Sequence, residues 1–193
     1  MMTDPRGKCF LSYRRSRADE AQLLIESLRD FGVPTWQDIE NLPEESTEDA
    51  LRRTVEDPSI ASAILWITPD VEHSPIIRQI EAPGLLNRVR NRDGFYLVPV
   101  LAGGVEYGNA GIVIDPRFTL EDVPGWNLHK AKGEIDPPTG TERVRAPEAA
   151  SVACKVLLRR VEAIHKASPA EQPLVLRVAT RTPPVRATPA DLV

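Results

Sequence analysis

Glu81 is the carboxylate of this 193-residue chain whose neighbours point most directly to chemistry. It lies in "HSPIIRQIEAPG", residues His73 to Gly84. A helix begun at Ser74, with Pro75 in its first position, turns by about 100° per residue. Ile76, Ile80 and Ile77 then share one arc, and Glu81 falls about 40° beyond Ile77, on the shoulder of the apolar stripe. A carboxylate placed there, partly shielded from water, can stabilise positive charge that develops in a transition state. The plainer alternative is a solvated glutamate at a helix edge. Pro83 has no N–H for the carbonyl of Gln79 and its ring crowds that carbonyl, so the helix is expected to kink or stop just past Glu81.

Arg14 and Arg15 follow the apolar run "KCFLSY". Guanidinium forks match a pyrophosphate in bidentate fashion, so either arginine is a candidate for holding one; ion pairing with Asp19 or Asp38 is the structural alternative. Phe10 and Ser12 alternate with Leu11 and Tyr13 along this run, so one pair lines the core; Phe10 reads first as a core residue, and both are carried as substrate-binding candidates. Trp36 and Asp38 close a second short run, where an indole can stack on a base, although a packed tryptophan is the simpler reading. Leu42 and Pro43, in the acidic stretch "IENLPEES", are apolar candidates for a subunit contact. His73 and Ser74 belong to helix-capping geometry, with Ser74 carried as a second ligand contact. Cys9 and Cys154 have no metal-ligand spacing, so both are read as reduced core thiols and no metal site is expected.

The elements that must position these residues alternate. "KCFLSY" (Lys8 to Tyr13) reads as a buried strand, and Ala21, Leu24, Leu28 and Phe31 set a helical period over Ala18 to Phe31 with Gly32 as a left-handed stop. "VPTWQD" (Val33 to Asp38) is a second strand. Ser46 with Asp49 resembles a capping box opening a second helix that runs to Glu56. "ASAILWIT" (Ala61 to Thr68) is apolar almost throughout, as a central strand covered on both faces must be, and it makes Trp66 a core residue. After the Ser74 helix, "FYLVPVLAGG" (Phe95 to Gly104) gives a fourth strand. A fifth strand is expected in "AGIVID" or "PRFTL", then a loop through "GEIDPPTGTERVRAPE", then a closing helix from Pro147 to about Lys166. The alternation predicts a flavodoxin-like, doubly wound, mainly parallel sheet of about five strands, with helices on both faces and ligands outside the carboxyl ends of the strands.

Composition narrows the partners. The formal net charge is −4, which supplies no global basic field for DNA or an anionic membrane. The N-terminal "MMTDPRGK" has no apolar signal-peptide core and no run reaches the roughly 18 apolar residues of a span, so a cytoplasmic location is expected.

Four blocks go further than the pattern. "FLSYRRSRADEA" (Phe10 to Ala21), "LRDFGVPTWQD" (Leu28 to Asp38), "ILWITPD" (Ile64 to Asp70) and "SPIIRQIE" (Ser74 to Glu81), in this order, resemble the TIR (Toll/interleukin-1 receptor) domain over about Lys8 to Lys166. The resemblance implies that "IENLPEES" is the BB loop, which mediates self-association and gates the pocket. Many bacterial and plant members cleave the N-glycosidic bond of NAD+, with NAD+ as substrate and no cofactor, using a glutamate on the third helix. Glu81 takes that place. The ionised form can hydrogen-bond a ribose hydroxyl and stabilise an oxocarbenium-like transition state. The family often carries a tryptophan four residues before the glutamate, where this chain has Ile77, which the resemblance makes a substrate-binding candidate.

"PLVLRVATRTPP" (Pro173 to Pro184) resembles the opening of a SAVED domain, the cyclic-oligonucleotide sensor that follows a bacterial TIR domain in some CBASS antiphage effectors. The expected organisation is a tail at 1–7, a TIR domain at 8–166, a linker at 167–173 and the incomplete start of a SAVED-like sensor at 174–193. The function this implies is an NAD+ glycohydrolase (NADase) that assembles, filament-like, when a cyclic oligonucleotide binds the sensor. A non-catalytic scaffold acting by homotypic TIR association is the alternative. A nucleoside deoxyribosyltransferase-like enzyme shares the carboxylate-and-sheet logic with fewer matching blocks.

Overall fold

The computed structural model describes residues 2–36, 47–108, 114, 129–137 and 139–167. Five parallel strands form one sheet: β1 (Lys8–Ser12), β2 (Thr35–Trp36), β3 (Ile60–Ile67), β4 (Tyr96–Leu101) and β5 (His129–Lys130), in the order β2-β1-β3-β4-β5. That order is the flavodoxin-like one, and its crossovers reverse direction between β1 and β3. All eight residues of β3 are buried, as a central strand with covered faces requires. In register, Ser12 at the end of β1 stands beside Leu65 of β3.

Helices cover both faces. On one, α1 (Ala18–Asp30) and the closing helix α4 (Ala146–Ala167) pack Leu24, Leu28, Val152 and Val156 against Cys9, Leu11 and Ile64. On the other, α2 (Thr47–Glu56) and α3 (Ala82–Asn91) bring Leu51, Val55 and Leu85 against Phe10, Ala63 and Ile60. Gly32 does end α1: it has φ +71°, its N–H reaches Arg29 O, and Val33 N reaches Leu28 O, the pair of bonds that caps a helix through a left-handed residue.

Among the described residues the fifth strand is His129–Lys130, two residues of edge strand that leave no hydrophobic period to read; "AGIVID" and "PRFTL", apart from Ile114, lie outside the described residues. The stretch read as a loop before the closing helix is an antiparallel hairpin, β6 (Gly133–Asp136) with β7 (Thr141–Val144), whose strands are largely polar and half exposed. The helix beside Glu81 is distorted, as expected, but it does not stop there: helical turns continue from residue 75 to 91.

What the proline does change is the pitch. Residues Ile77–Glu81 form a π-helical segment, with Ala82 N bonding Ile77 O five residues back. The wider turn lies immediately ahead of Pro83, where a continuing helix must accommodate a ring and a missing donor. Gly84 serves packing: a Cβ there would come within 2.6 Å of Val55 Cγ2, so the glycine sets how closely α3 approaches α2.

A carboxylate-centred candidate site at the sheet switch point

Ser12 is the last residue of β1 and shares its face with Phe10, two residues earlier, as strand alternation dictates. Across from this face runs the π-segment, and Glu81 ends it. Ser12 Oγ donates to Glu81 Oε2 at 2.5 Å, with Ser12 1% and Glu81 7% exposed. A carboxylate so deeply placed needs donors, because leaving a charged or polar group unpaired in a low-dielectric interior costs several kcal/mol or a proton. Ser74 caps the helix that carries it: Ser74 Oγ accepts from Ile77 N at 3.4 Å, with Pro75 next in the chain. His73 is exposed and pairs with Glu72.

Phe10 and Trp36 stack on each other, ring centroids 5.0 Å apart and planes 25° from parallel, in the core beneath α2. Ile77 is also buried, at 3% exposure. The two arginines separate: Arg14 is half-buried and its Nε lies 3.9 Å from Asp70 Oδ2, whereas Arg15 is exposed in a single 3-10 turn, Arg15–Arg17. Asp38, Leu42, Pro43 and the Ser46 cap lie outside the described residues, as does the stretch from 168 onward. Cys9 and Cys154 are both free, Cys9 fully buried and Cys154 half-buried. Among the described residues no group of three or more His, Cys, Asp or Glu side chains could hold a metal, and no helix is long and apolar enough to cross a membrane.

Sequence reasoning missed a second polar group at the same edge. Asp70, in the 3-10 turn Pro69–His73 that follows β3, accepts from Thr68 Oγ1 at 2.6 Å and from Ser16 Oγ, which joins the loop after β1 to the loop after β3. Burial pushes the Asp70 carboxyl upward, but the two hydroxyls and the Arg17 guanidinium outweigh it and hold the group below its usual value. Arg17 connects Asp70 (3.9 Å) to Glu20, which it meets at 2.9 Å. Glu20 is 1% exposed and also receives Trp66 Nε1 at 3.1 Å and Arg143 Nη1 at 3.3 Å. Arg143 reaches Asp19 at 3.3 Å, and Arg17 donates to the backbone of Glu142 at 3.0 Å. Asp19, Arg143, Glu20, Arg17, Asp70 and Arg14 therefore form a row of alternating charge from the β6–β7 hairpin to the switch point. The available signal was position: Ser16 and Asp70 fall just past the ends of adjacent parallel strands, where such sheets bind ligands.

No protein-family model matches the chain, and no curated protein does. Solved structures do. A metazoan TIR-STING receptor from C. gigas, solved in complex with 2',3'-cGAMP, superimposes with TM-score 0.52 at 18% identity, over 79% of this chain and 41% of that one. The chain has the TIR fold. The RPS4 and RRS1 TIR domain heterodimer aligns with TM-score 0.49 at 14% identity, over 81% of this chain and 96% of that one. This chain spans less than half the length of the TIR-STING receptor. Glu81 ends the π-segment that leads into α3, beside the end of β1, and Ile77 stands one turn earlier on the same segment.

Proposed function

We propose that the chain is the catalytic part of an NAD+ glycohydrolase, with Glu81 as its catalytic carboxylate. What supports the reading is the bond from Ser12 to Glu81: a buried carboxylate fixed by a hydroxyl at the carboxyl end of β1, beside the switch point where such sheets bind dinucleotides. In the reaction the C–N bond between ribose and nicotinamide breaks and its electron pair stays on the pyridine nitrogen, so the leaving group needs no proton. The ribosyl cation that develops is stabilised by the Glu81 carboxylate, which Ser12 holds in one rotamer. Water then adds at the anomeric carbon and releases a proton, giving ADP-ribose.

Assembly belongs to the same proposal. Glu81 is 7% exposed in the single chain, which supports a site that opens when TIR domains associate through the loop containing Leu42 and Pro43. A cyclic oligonucleotide bound by a SAVED-like module after residue 173 supplies the trigger, and NAD+ depletion in the cytoplasm is the antiphage output. A TIR-STING receptor solved with 2',3'-cGAMP is a precedent, in another protein, for pairing this fold with a cyclic-dinucleotide receptor. The test is nicotinamide release by the assembled protein and by its Glu81→Gln variant.

One observation favours the scaffold reading. Ile77 occupies the place where the family often has tryptophan and is 3% exposed, so it offers no aromatic surface to a nicotinamide ring. A protein that assembles normally and never consumes NAD+ would establish that reading instead.

A further inference from the structure

Arg14 differs from the other half-buried or buried arginines around it. Arg17 and Arg143 bond to carboxylates and carbonyls, Arg78 to the carbonyls of Ile114 and Glu72, and Arg88 and Arg160 to backbone carbonyls at distant points of the chain. Among the described residues the Arg14 guanidinium makes no hydrogen bond, and its Nε is buried without one. Its approach to Asp70, at 3.9 Å, is close enough for attraction and too long for a hydrogen bond. Asp70 itself is held in place by Ser16, Thr68 and Arg17. The side chains of Arg14 and Asp70 are 32% and 30% exposed, at the open edge of β1 and β3.

We propose that Asp70 is a positioning residue: anchored by two hydroxyls and by Arg17, it orients the uncommitted Arg14 fork at the switch point so that the fork receives the diphosphate of a dinucleotide. Asp70 faces the buried Nε of Arg14 without bonding it, and so leaves the terminal N–H donors of the fork for the ligand. The row of charges behind Asp70 makes the hairpin residue Arg143 part of the support. The inference rests on the dinucleotide reading of the site, but it concerns anion binding and is separable from turnover.

The sign of the effect separates positioning from charge. Removing a negative group beside an anion site raises anion affinity if only Coulomb attraction acts. If Asp70 positions Arg14, Asp70→Asn lowers it. Inorganic pyrophosphate is titrated calorimetrically into the wild-type chain, Asp70→Asn, Arg14→Ala and the double variant, each checked for an unchanged far-UV spectrum. Asp70→Asn should weaken binding about fivefold, and should change affinity less than about twofold once Arg14 is alanine, the non-additivity expected of coupled residues. Unchanged or tighter binding by Asp70→Asn, equal losses in both backgrounds, or no binding by the wild type overturns the proposal. Pyrophosphate coupling with no nicotinamide release under any assembly condition would leave this inference standing and remove the glycohydrolase reading.

Discussion

Ser12 Oγ and Glu81 Oε2 lie 2.5 Å apart across 69 positions of sequence, joining the last residue of β1 to the last residue of the π-segment. The bond fixes a carboxylate at the carboxyl end of β1. Ser12→Ala removes its donor and leaves the core volume almost unchanged. A hydrogen bond to a charged group is worth about 1.5–3 kcal/mol, so chemical denaturation should show a loss of about that size. Turnover should fall with kcat rather than KM, because the bond orients the carboxylate and does not itself bind substrate. Stability and kcat both unchanged would show that Ser12 does not hold Glu81.

Gly84 permits α3 to lie against Val55. An alanine gains about 1 kcal/mol of helix propensity over glycine, but overpacking a stiff β-branched neighbour costs about 1–3 kcal/mol. Gly84→Ala should therefore lower stability, whereas in a Val55→Ala background, with the 2.6 Å clash removed, the same change should stabilise. Urea unfolding of the four proteins checks both signs.

Glu20 is buried between Arg17, Arg143 and the Trp66 indole. Removing one partner of such a pair leaves uncompensated charge, so Arg17→Ala should cost about 3 kcal/mol, while replacing both Arg17 and Glu20 with apolar residues should cost clearly less than the sum of the single changes. Additive losses in denaturant unfolding would mean that the two charges do not depend on each other.

Asp70 gives the acid limb of stability a definite sign. Its carboxyl is held below the ordinary 3.8 in the folded chain, so its contribution is present above that value and is lost as pH falls through the depressed folded value. The stability difference between wild type and Asp70→Asn should be constant from pH 7 to 5 and should shrink below about pH 4. A difference that grows on acidification would contradict the assignment.

The cysteines should behave unequally. Burial pushes the Cys9 thiol up to about 11, against smaller opposing effects from Ser62 and Arg160, so it stays protonated and shielded at neutral pH. Cys154 is half-exposed on α4. A thiol reagent should titrate one cysteine in the native protein and the second only after denaturation.

Apolar runs, periods and caps were enough to place β1, β3, α1 and α4 within a residue or two and β4 within three. The edge strand His129–Lys130 and the hairpin Gly133–Val144 were illegible for the opposite reason: they are short, polar and held by partners far away, such as Arg17 on Glu142. "EAPG" signalled the distortion beside Glu81 but not its form, because the helix continues past Pro83 through a π-turn and Gly84 is set by a neighbour's side chain. Glu81 could be found from its place on the helix shoulder. Its partner Ser12 was identified as a residue but not as the donor, since helical and strand periods say which face a side chain takes and not what it meets across 69 residues. The Glu20–Arg17–Asp70 row was missed because each member reads alone as a solvated charge.

The claim that Glu81 is the catalytic carboxylate is tested most directly by nicotinamide release from NAD+, measured by mass spectrometry on assembled full-length wild type and Glu81→Gln with a panel of cyclic oligonucleotides. Glutamine keeps the shape and an acceptor for Ser12 while removing the charge. The account predicts release by the wild type and a loss of at least about a hundredfold in the variant, the scale of losing a principal electrostatic group, with assembly unchanged. Equal rates in the two proteins would contradict it.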